Sequence, residues 1–200
     1  MNSLMQDRLK YLKSAAFHEA AHYILCVAQG IPVRELGLRI DSRGNGRSHI
    51  YCRESGKEAR SEIDKQEIAK SIVMLFAGYL GQLKSFPELE DMQEVADAAK
   101  KVDLVQIDAL LGDMYPNEPE YRFNAKGKLQ IKSRGLVEGN WSAIKDLADA
   151  LWAQPWKPQV QLPRIDSGWS DDKEEKSMNA REVAAILSKF GLNPIIEADA

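Results

Sequence analysis

The chain has 200 residues, of which 44% are hydrophobic and 28% are charged. These values are typical of one soluble globular domain that is large enough to bury a core. The net charge of -3, and the lack of a basic cluster interleaved with aromatic residues, argue against a nucleic-acid partner. The two cysteines, Cys26 and Cys52, make no disulfide framework and fit a reducing compartment.

No targeting or membrane segment is expected. Charged residues at positions 7, 8, 10 and 13 interrupt any early apolar run, so the chain opens without a secretory signal. The longest apolar run, residues 72–80, is far too short to cross a bilayer and suits a core helix. We therefore expect a cytoplasmic protein with no membrane span.

The first predicted helix begins near Ser3 and ends at Gly30. It contains His18 and His22, which are four residues apart and project from one helix face, close enough to bind one metal ion. Glu19 follows the first histidine, where its carboxylate can reach a water bound to that metal. Histidines on a buried face need partners, and zinc is the simplest partner for this spacing.

This interpretation has two alternatives. Buried histidines are sometimes only satisfied core residues, but two of the chain's three histidines fall in this pattern, so we favour zinc. Cys26 follows His22 by four residues and is conceivable as a thiolate ligand. A role as a small buried apolar side chain is favoured for it.

A β-hairpin is predicted next. Leu36, Leu38 and Ile40 alternate on one face, residues 41–46 form a turn, and residues 48–53 return as a partner strand. His49 lies on this second strand, where we expect solvent exposure or packing rather than metal binding.

Residues 61–83 have the apolar spacing of a second helix. Gly78 and Gly81 near its end indicate either close approach to another helix or a weak C-terminal turn. Pro87 follows and ends the helix.

A third helix is predicted at residues 91–111, and its aspartates differ in the face they occupy. The helical neighbours of Asp103 are apolar, so it points toward the core, whereas Asp97 faces water and Asp108 is intermediate. An ionised carboxylate in the core must be paired or bind a metal. Asp103 is therefore the best candidate for a third ligand, with a salt bridge to a basic side chain as the alternative.

The rest of the chain alternates loops and helices. Residues 115–135 are rich in Pro, Asn, Lys and Gly and are predicted to be irregular, and residues 141–152 are helical. Residues 155–176 are a second irregular stretch, in which the charge run at 171–176 is interpreted as a solvated loop. Asn179, with Glu182 three residues later, caps a last helix that stops at Gly191.

The order of these parts resembles the zinc peptidase domain of the membrane-associated AAA proteases called FtsH, the M41 family. The resemblance covers most of the chain, and only the histidine motif is specific by itself. The matching parts are residues 18–22, the hairpin at 36–51, the segment 75–79 with its Ala-Gly pair, Asp103-Leu104, residues 140–151 and residues 177–183.

This resemblance implies a mostly α-helical zinc-metallopeptidase domain with a small β-hairpin or sheet, spanning residues 1–200 with an insertion at 155–176. His18, His22 and Asp103 would bind zinc, and Glu19 would act as general base on a peptide or an unfolded protein. The chain carries no P-loop motif, so the expected peptidase is ATP-independent by itself. A homo-oligomer or a separate ATPase partner is compatible with this expectation.

Some positions depart from the family pattern. Ala21 replaces the usual glycine within the motif, and residues 80–82 replace the acidic residues that usually follow the Ala-Gly pair. Two other interpretations therefore stay open: a metal-stabilised interaction module that has lost hydrolysis, and a helical scaffold without metal. Glu19 favours the enzyme, because a structural metal site needs no base.

Overall fold

The computed structural model describes residues 3–90, 93–158 and 174–198, and it shows the expected mostly helical fold with a small sheet. The helices are α1 (Ser3–Ala28), α2 (Glu62–Ser85), α3 (Gln93–Met114), α4 (Pro119–Gly139), α5 (Trp141–Ala153) and α6 (Ala180–Leu187). The strands are β1 (Val33–Asp41), β2 (Gly46–Ile50), β3 (Lys157–Pro158), β4 (Glu174–Met178) and β5 (Ile196–Glu197). Within these ranges, no helix combines the length and apolar character needed to cross a membrane.

Helix α1 lies at the centre of the core and packs against α2, α5 and the sheet. Ala16, Ala20 and Ala21 are fully buried on it, and the small side chain of Ala21 lies at the approach of α2. A Cβ at Gly81 would lie 2.6 Å from the Cβ of Ala21. The close helix approach predicted at Gly81 is therefore present, and α2 continues beyond it to Ser85.

The predicted hairpin belongs to a larger sheet with the order β2-β1-β4-β3, and β5 pairs with the start of β1. In the antiparallel β1–β2 pair, Leu38 lies opposite Ser48 and Ile40 lies opposite Gly46. Leu38 and Ile40 are buried in the core, and side chains alternate along a strand. Ser48 and Gly46 therefore share the sheet face that packs on α1.

The hairpin turn is fixed by Asp41, which is fully buried. Its Oδ1 accepts hydrogen bonds from the main-chain N–H groups of Arg43 and Asn45, both at 2.9 Å. Gly44 in this turn has a φ of 87°, and its Cβ position lies 2.6 Å from the ring of Tyr11 on α1. The turn therefore packs directly against the helix that carries the histidines.

The prediction that residues 115–135 are irregular is wrong, because most of them belong to α4. Pro119 occupies the first turn, where a missing N–H costs nothing. The helix is attached to α2 by Ser133, whose hydroxyl donates to the carbonyl of Val73 at 2.8 Å. Only Ser133 and Val137 are buried on it, so its sequence shows little apolar periodicity.

The prediction of a solvated loop at residues 171–176 is also wrong where the structure describes it. Residues 174–176 belong to β4, and residues 159–173 lie outside the described part of the chain. Glu175 is buried and pairs with Arg39 at 3.3 Å. Lys176 is buried too, and its Nζ donates to the carbonyls of Trp152 and Gln154. These partners are distant in sequence, so the local charge pattern concealed the strand.

The remaining boundaries agree with the predictions to within a few residues. Helix α5 is predicted at 141–152 and spans Trp141–Ala153 in the structure. Asn179 and Glu182 form the predicted capping box at the start of α6. Gly191 then adopts a left-handed conformation with a φ of 71°, after a short 3-10 turn at Ser188–Phe190.

Candidate metal centre

Three side chains from two helices converge at one point. The Nε2 atoms of His18 and His22 on α1 are 2.9 Å apart. Asp103 on α3 places its Oδ2 at 3.2 Å from Nε2 of His18 and at 3.3 Å from Nε2 of His22. The structure thus brings together the three residues that the sequence predicts as ligands, and they line a cleft with a volume of about 600 Å³.

The position of Asp103 follows from the apolar row of α3. Ile107, Leu110 and Leu111 are buried and fix the rotation of this helix against the core. Asp108 lies on the outer side, where it forms an exposed ion pair with Lys126. The side chain of Asp97 lies outside the described part of the chain. Of the aspartates with described side chains on α3, Asp103 alone reaches the histidines.

Gly78 on α2 provides the space in which the imidazoles meet. A Cβ at this position would lie 2.4 Å from Nε2 of His22 and 2.6 Å from Nε2 of His18. Cβ atoms do not approach other heavy atoms so closely, so any side chain larger than hydrogen would displace a histidine. Gly78, the second residue of the Ala-Gly pair, therefore belongs to the site itself.

The imidazole of His22 is oriented by a hydrogen bond on its other side. Its Nδ1 lies 2.8 Å from the carbonyl oxygen of Met74 on α2, and a carbonyl can only accept, so Nδ1 carries the hydrogen. In the neutral ring Nε2 then presents a lone pair toward His18 and Asp103. Ligating histidines usually donate their second N–H to such an acceptor.

Electrostatic attraction between the Asp103 carboxylate and the two histidines shifts the pKa values of this group. Burial lowers the pKa of His22, but the Asp103 carboxylate in contact with it outweighs this effect, with help from Glu19 and the Met74 carbonyl, and the pKa rises to about 9. Burial raises the pKa of Asp103, but His22 and His18 together hold it well below its usual range. Without a metal ion, these opposite shifts favour an imidazolium–carboxylate pair between His22 and Asp103, which is the form that the salt-bridge alternative takes here.

The same three atoms satisfy the requirements of zinc. Tetrahedral zinc with bonds of about 2.0–2.1 Å places neighbouring donors about 3.3 Å apart. The observed separations are 2.9, 3.2 and 3.3 Å. Oδ2 of Asp103 is buried and, among the described residues, makes no hydrogen bond beyond its contacts with the two imidazoles, as expected of a lone pair directed at a shared point. Two imidazole nitrogens and one carboxylate oxygen are also a donor set typical of catalytic zinc.

Glu19 lies beside this centre and is only 6% exposed. The hydroxyl of Ser48 on β2 donates to its Oε2 at 2.6 Å. Both residues line the cleft, together with Gly46 from the same strand. A carboxylate is therefore held in the same cleft as the three convergent atoms, where it acts electrostatically on His22, but it is outside their group.

The other candidates considered from the sequence are not part of the centre. Cys26 is buried, its thiol donates to the carbonyl of Ile31 at 3.5 Å, and burial raises its pKa to about 12. It therefore behaves as a small core side chain, as favoured above. His49 is buried, which fits packing, and it is absent from the convergent group. Cys52 lines the cleft with its thiol beside Gln106, which donates to it at 3.4 Å.

Sequence reasoning missed two participants. Ser48 was only part of a predicted strand, although the β1–β2 register could have placed it on the face of Leu38. The role of the Met74 carbonyl could not be predicted from the sequence, because every residue has a main-chain carbonyl.

Comparison with protein-family models, with curated proteins and with solved structures gave no match.

Proposed function

We propose that the protein is a zinc metallopeptidase that hydrolyses peptide bonds without ATP. The observation that carries this proposal is the convergence of His18, His22 and Asp103 within hydrogen-bond range of one another. Glu19 stands beside them, and all four side chains line one cleft. A structural metal site would need neither the open cleft nor the neighbouring carboxylate.

Each residue of the site has a separate role in the proposed reaction. His18, His22 and Asp103 would hold zinc, which supplies a Lewis acid that lowers the pKa of water and polarises a carbonyl. Glu19 takes a proton from the attacking water and passes it to the leaving amine nitrogen as the C–N bond breaks. Met74 keeps His22 in the tautomer that can ligate.

The sheet offers a place for the substrate. Strand β2 is at the end of the order β2-β1-β4-β3, and its outer edge pairs with no other strand of the described ranges. It also lines the cleft through Gly46 and Ser48. An extended peptide, or an unfolded segment of a protein, can add to such an edge as a further strand. We include this edge in the proposal as the substrate site, with a cytoplasmic location for the protein.

Two measurements test the proposal. Metal analysis of the purified protein should find one equivalent of zinc, lost in His18→Ala, and its absence would favour the metal-free scaffold. Cleavage of a peptide library should be abolished by Glu19→Gln, which keeps the shape of the side chain but removes the base. Cleavage that survives this substitution would exclude the mechanism. A zinc-loaded wild type that cleaves nothing would instead favour the metal-stabilised interaction module.

A further inference from the structure

The carboxylate of Glu19 is confined by β2 on two sides. Ser48 Oγ lies 2.6 Å from Oε2 of Glu19 and 2.9 Å from the main-chain oxygen of the same residue. A Cβ at Gly46 would lie 2.3 Å from both Cγ and Oε1 of Glu19. The absent side chain of Gly46 thus makes room for the carboxylate, and the hydroxyl of Ser48 holds one of its oxygens.

We infer that Ser48 is a positioning residue that supports Glu19 in both of its proton states. The inference rests on the proposed function, because it concerns the residue assigned there as the base. It assigns to Ser48 a role in proton transfer that goes beyond attaching β2 to α1.

The two oxygens near Ser48 give the hydroxyl two possible directions. When Glu19 is a carboxylate, the single hydrogen of Ser48 points to Oε2. When Glu19 has taken the proton of the attacking water on Oε2, its own O–H donates to Ser48 Oγ, and the serine hydrogen turns to the main-chain oxygen of Glu19. When the proton is on Oε1, Ser48 continues to donate to Oε2. In each state Oε2 of Glu19 keeps its hydrogen bond to Ser48 through rotation of one hydroxyl, since a serine can both donate and accept.

This arrangement matters because the base is only 6% exposed, so protein groups supply most of its hydrogen bonds. A buried polar group left without a partner is costly, so a base satisfied in only one proton state would resist the transfer. Ser48 removes this penalty for Oε2, both before and after the proton transfer. The proton itself moves from water to Glu19 and then to the leaving amine, and no other reactant is required.

The test compares Ser48→Ala, which lacks the hydroxyl, with Ser48→Thr, which keeps it. In the zinc-loaded proteins, zinc affinity should stay within about twofold in both variants, because Ser48 contacts no ligand. With a fluorogenic peptide, Ser48→Ala should lower kcat by about ten- to a hundredfold with little change in KM. Ser48→Thr should recover most of the lost kcat.

A second readout does not need turnover. Acetohydroxamic acid binds divalent metals through two oxygens and gives up its proton as it binds. It would be titrated into the cobalt-loaded proteins and followed by the visible absorption of cobalt. Ser48→Ala and Glu19→Gln should both weaken its binding by at least about fivefold, whereas Ser48→Thr should not.

Equal behaviour of Ser48→Ala and wild type in the titration would overturn the inference, and so would a Ser48→Thr variant as impaired as Ser48→Ala. If no variant cleaves peptide but the titration shows the expected order, the peptidase proposal fails and the role of Ser48 at Glu19 stands. If wild type binds no cobalt, both proposals fail together.

Discussion

The main chain of Gly78 lies directly against the imidazole of His22. A Cβ at this glycine would be 2.4 Å from Nε2 of His22, and Nε2 of His18 would be only 2.6 Å away. The spacing of two histidines on α1 is therefore not sufficient for the centre. It also requires a residue without a side chain on the neighbouring helix.

Gly78→Ala should accordingly abolish tight zinc binding. The methyl group must displace at least one imidazole, so we expect the zinc affinity to fall by at least about a hundredfold. The matched control is Gly127→Ala on the exposed side of α4, where a Cβ meets nothing within 4 Å. This control should bind zinc as wild type does and gain about 0.5–1 kcal/mol of stability. Chelator competition and urea denaturation measure the two effects, and equal zinc affinity in both variants would contradict this account.

Asp103→Asn tests the third ligand. Its amide keeps the shape of the side chain but loses the charge, so zinc affinity should fall by about a hundredfold or more. Asp108→Asn is the control on the same helix, because Asp108 is exposed and pairs only with Lys126 in the described ranges. If Asp108→Asn weakened zinc binding as much as Asp103→Asn did, the assignment of the ligand by helix face would be wrong.

The pKa of His22 predicts how the centre responds to pH. In the metal-free protein this pKa is raised to about 9, above the value of about 6.5 in the unfolded chain. The stability that the His22–Asp103 pair contributes is thus complete below about pH 6.5 and is lost as pH rises through about 9. Zinc must displace this proton, so its apparent affinity should increase as pH rises toward 9. Calorimetry in buffers of different ionisation enthalpy should detect proton release at pH 7, and its absence would show that His22 is already neutral.

The candidate site was predictable to an unusual degree, because its signals are local. A four-residue spacing places His18 and His22 together, and the apolar neighbours of Asp103 determine which face it occupies. The helices that face the core were predictable for the same reason. The sequence indicates either close approach to another helix or a weak C-terminal turn at Gly78, and it does not show that the approaching group is an imidazole.

The elements that were missed have stabilising partners far away in the chain. Helix α4 is bonded to α2 through Ser133, and only Ser133 and Val137 are buried on it, so its apolar pattern is too sparse to predict a helix. Strand β4 buries Glu175 beside Arg39, a residue more than a hundred positions earlier. The spacing of apolar residues in the sequence predicts which apolar side chains are buried. It does not predict a charged side chain that is buried with a partner distant in the chain.

Gly46→Ala separates the base from the metal ligands. The new methyl group would overlap Cγ and Oε1 of Glu19, which would have to rotate away, and the three atoms nearest to it all belong to Glu19. The backbone of Gly46 has no positive φ, so no strain is added there. Zinc affinity should remain near that of wild type, and peptide cleavage should fall by at least about tenfold. Full cleavage in this variant would show that the observed position of Glu19 is not the one used for catalysis.

Lys176 should contribute to stability although it belongs to a run of charges. Its ammonium group lies 4.7 Å from the ring centre of Trp152 and 4.9 Å from that of Trp156, and it donates to two carbonyls at the end of α5. Lys176→Met keeps the length of the side chain but leaves those carbonyls without a donor, which should lower the free energy of unfolding by about 1–3 kcal/mol. Lys157→Met, at an exposed position on β3, is the control and should change it by less than about 0.5 kcal/mol. Urea denaturation compares the two, and an equal effect would mean that Lys176 is solvated as its sequence context suggests.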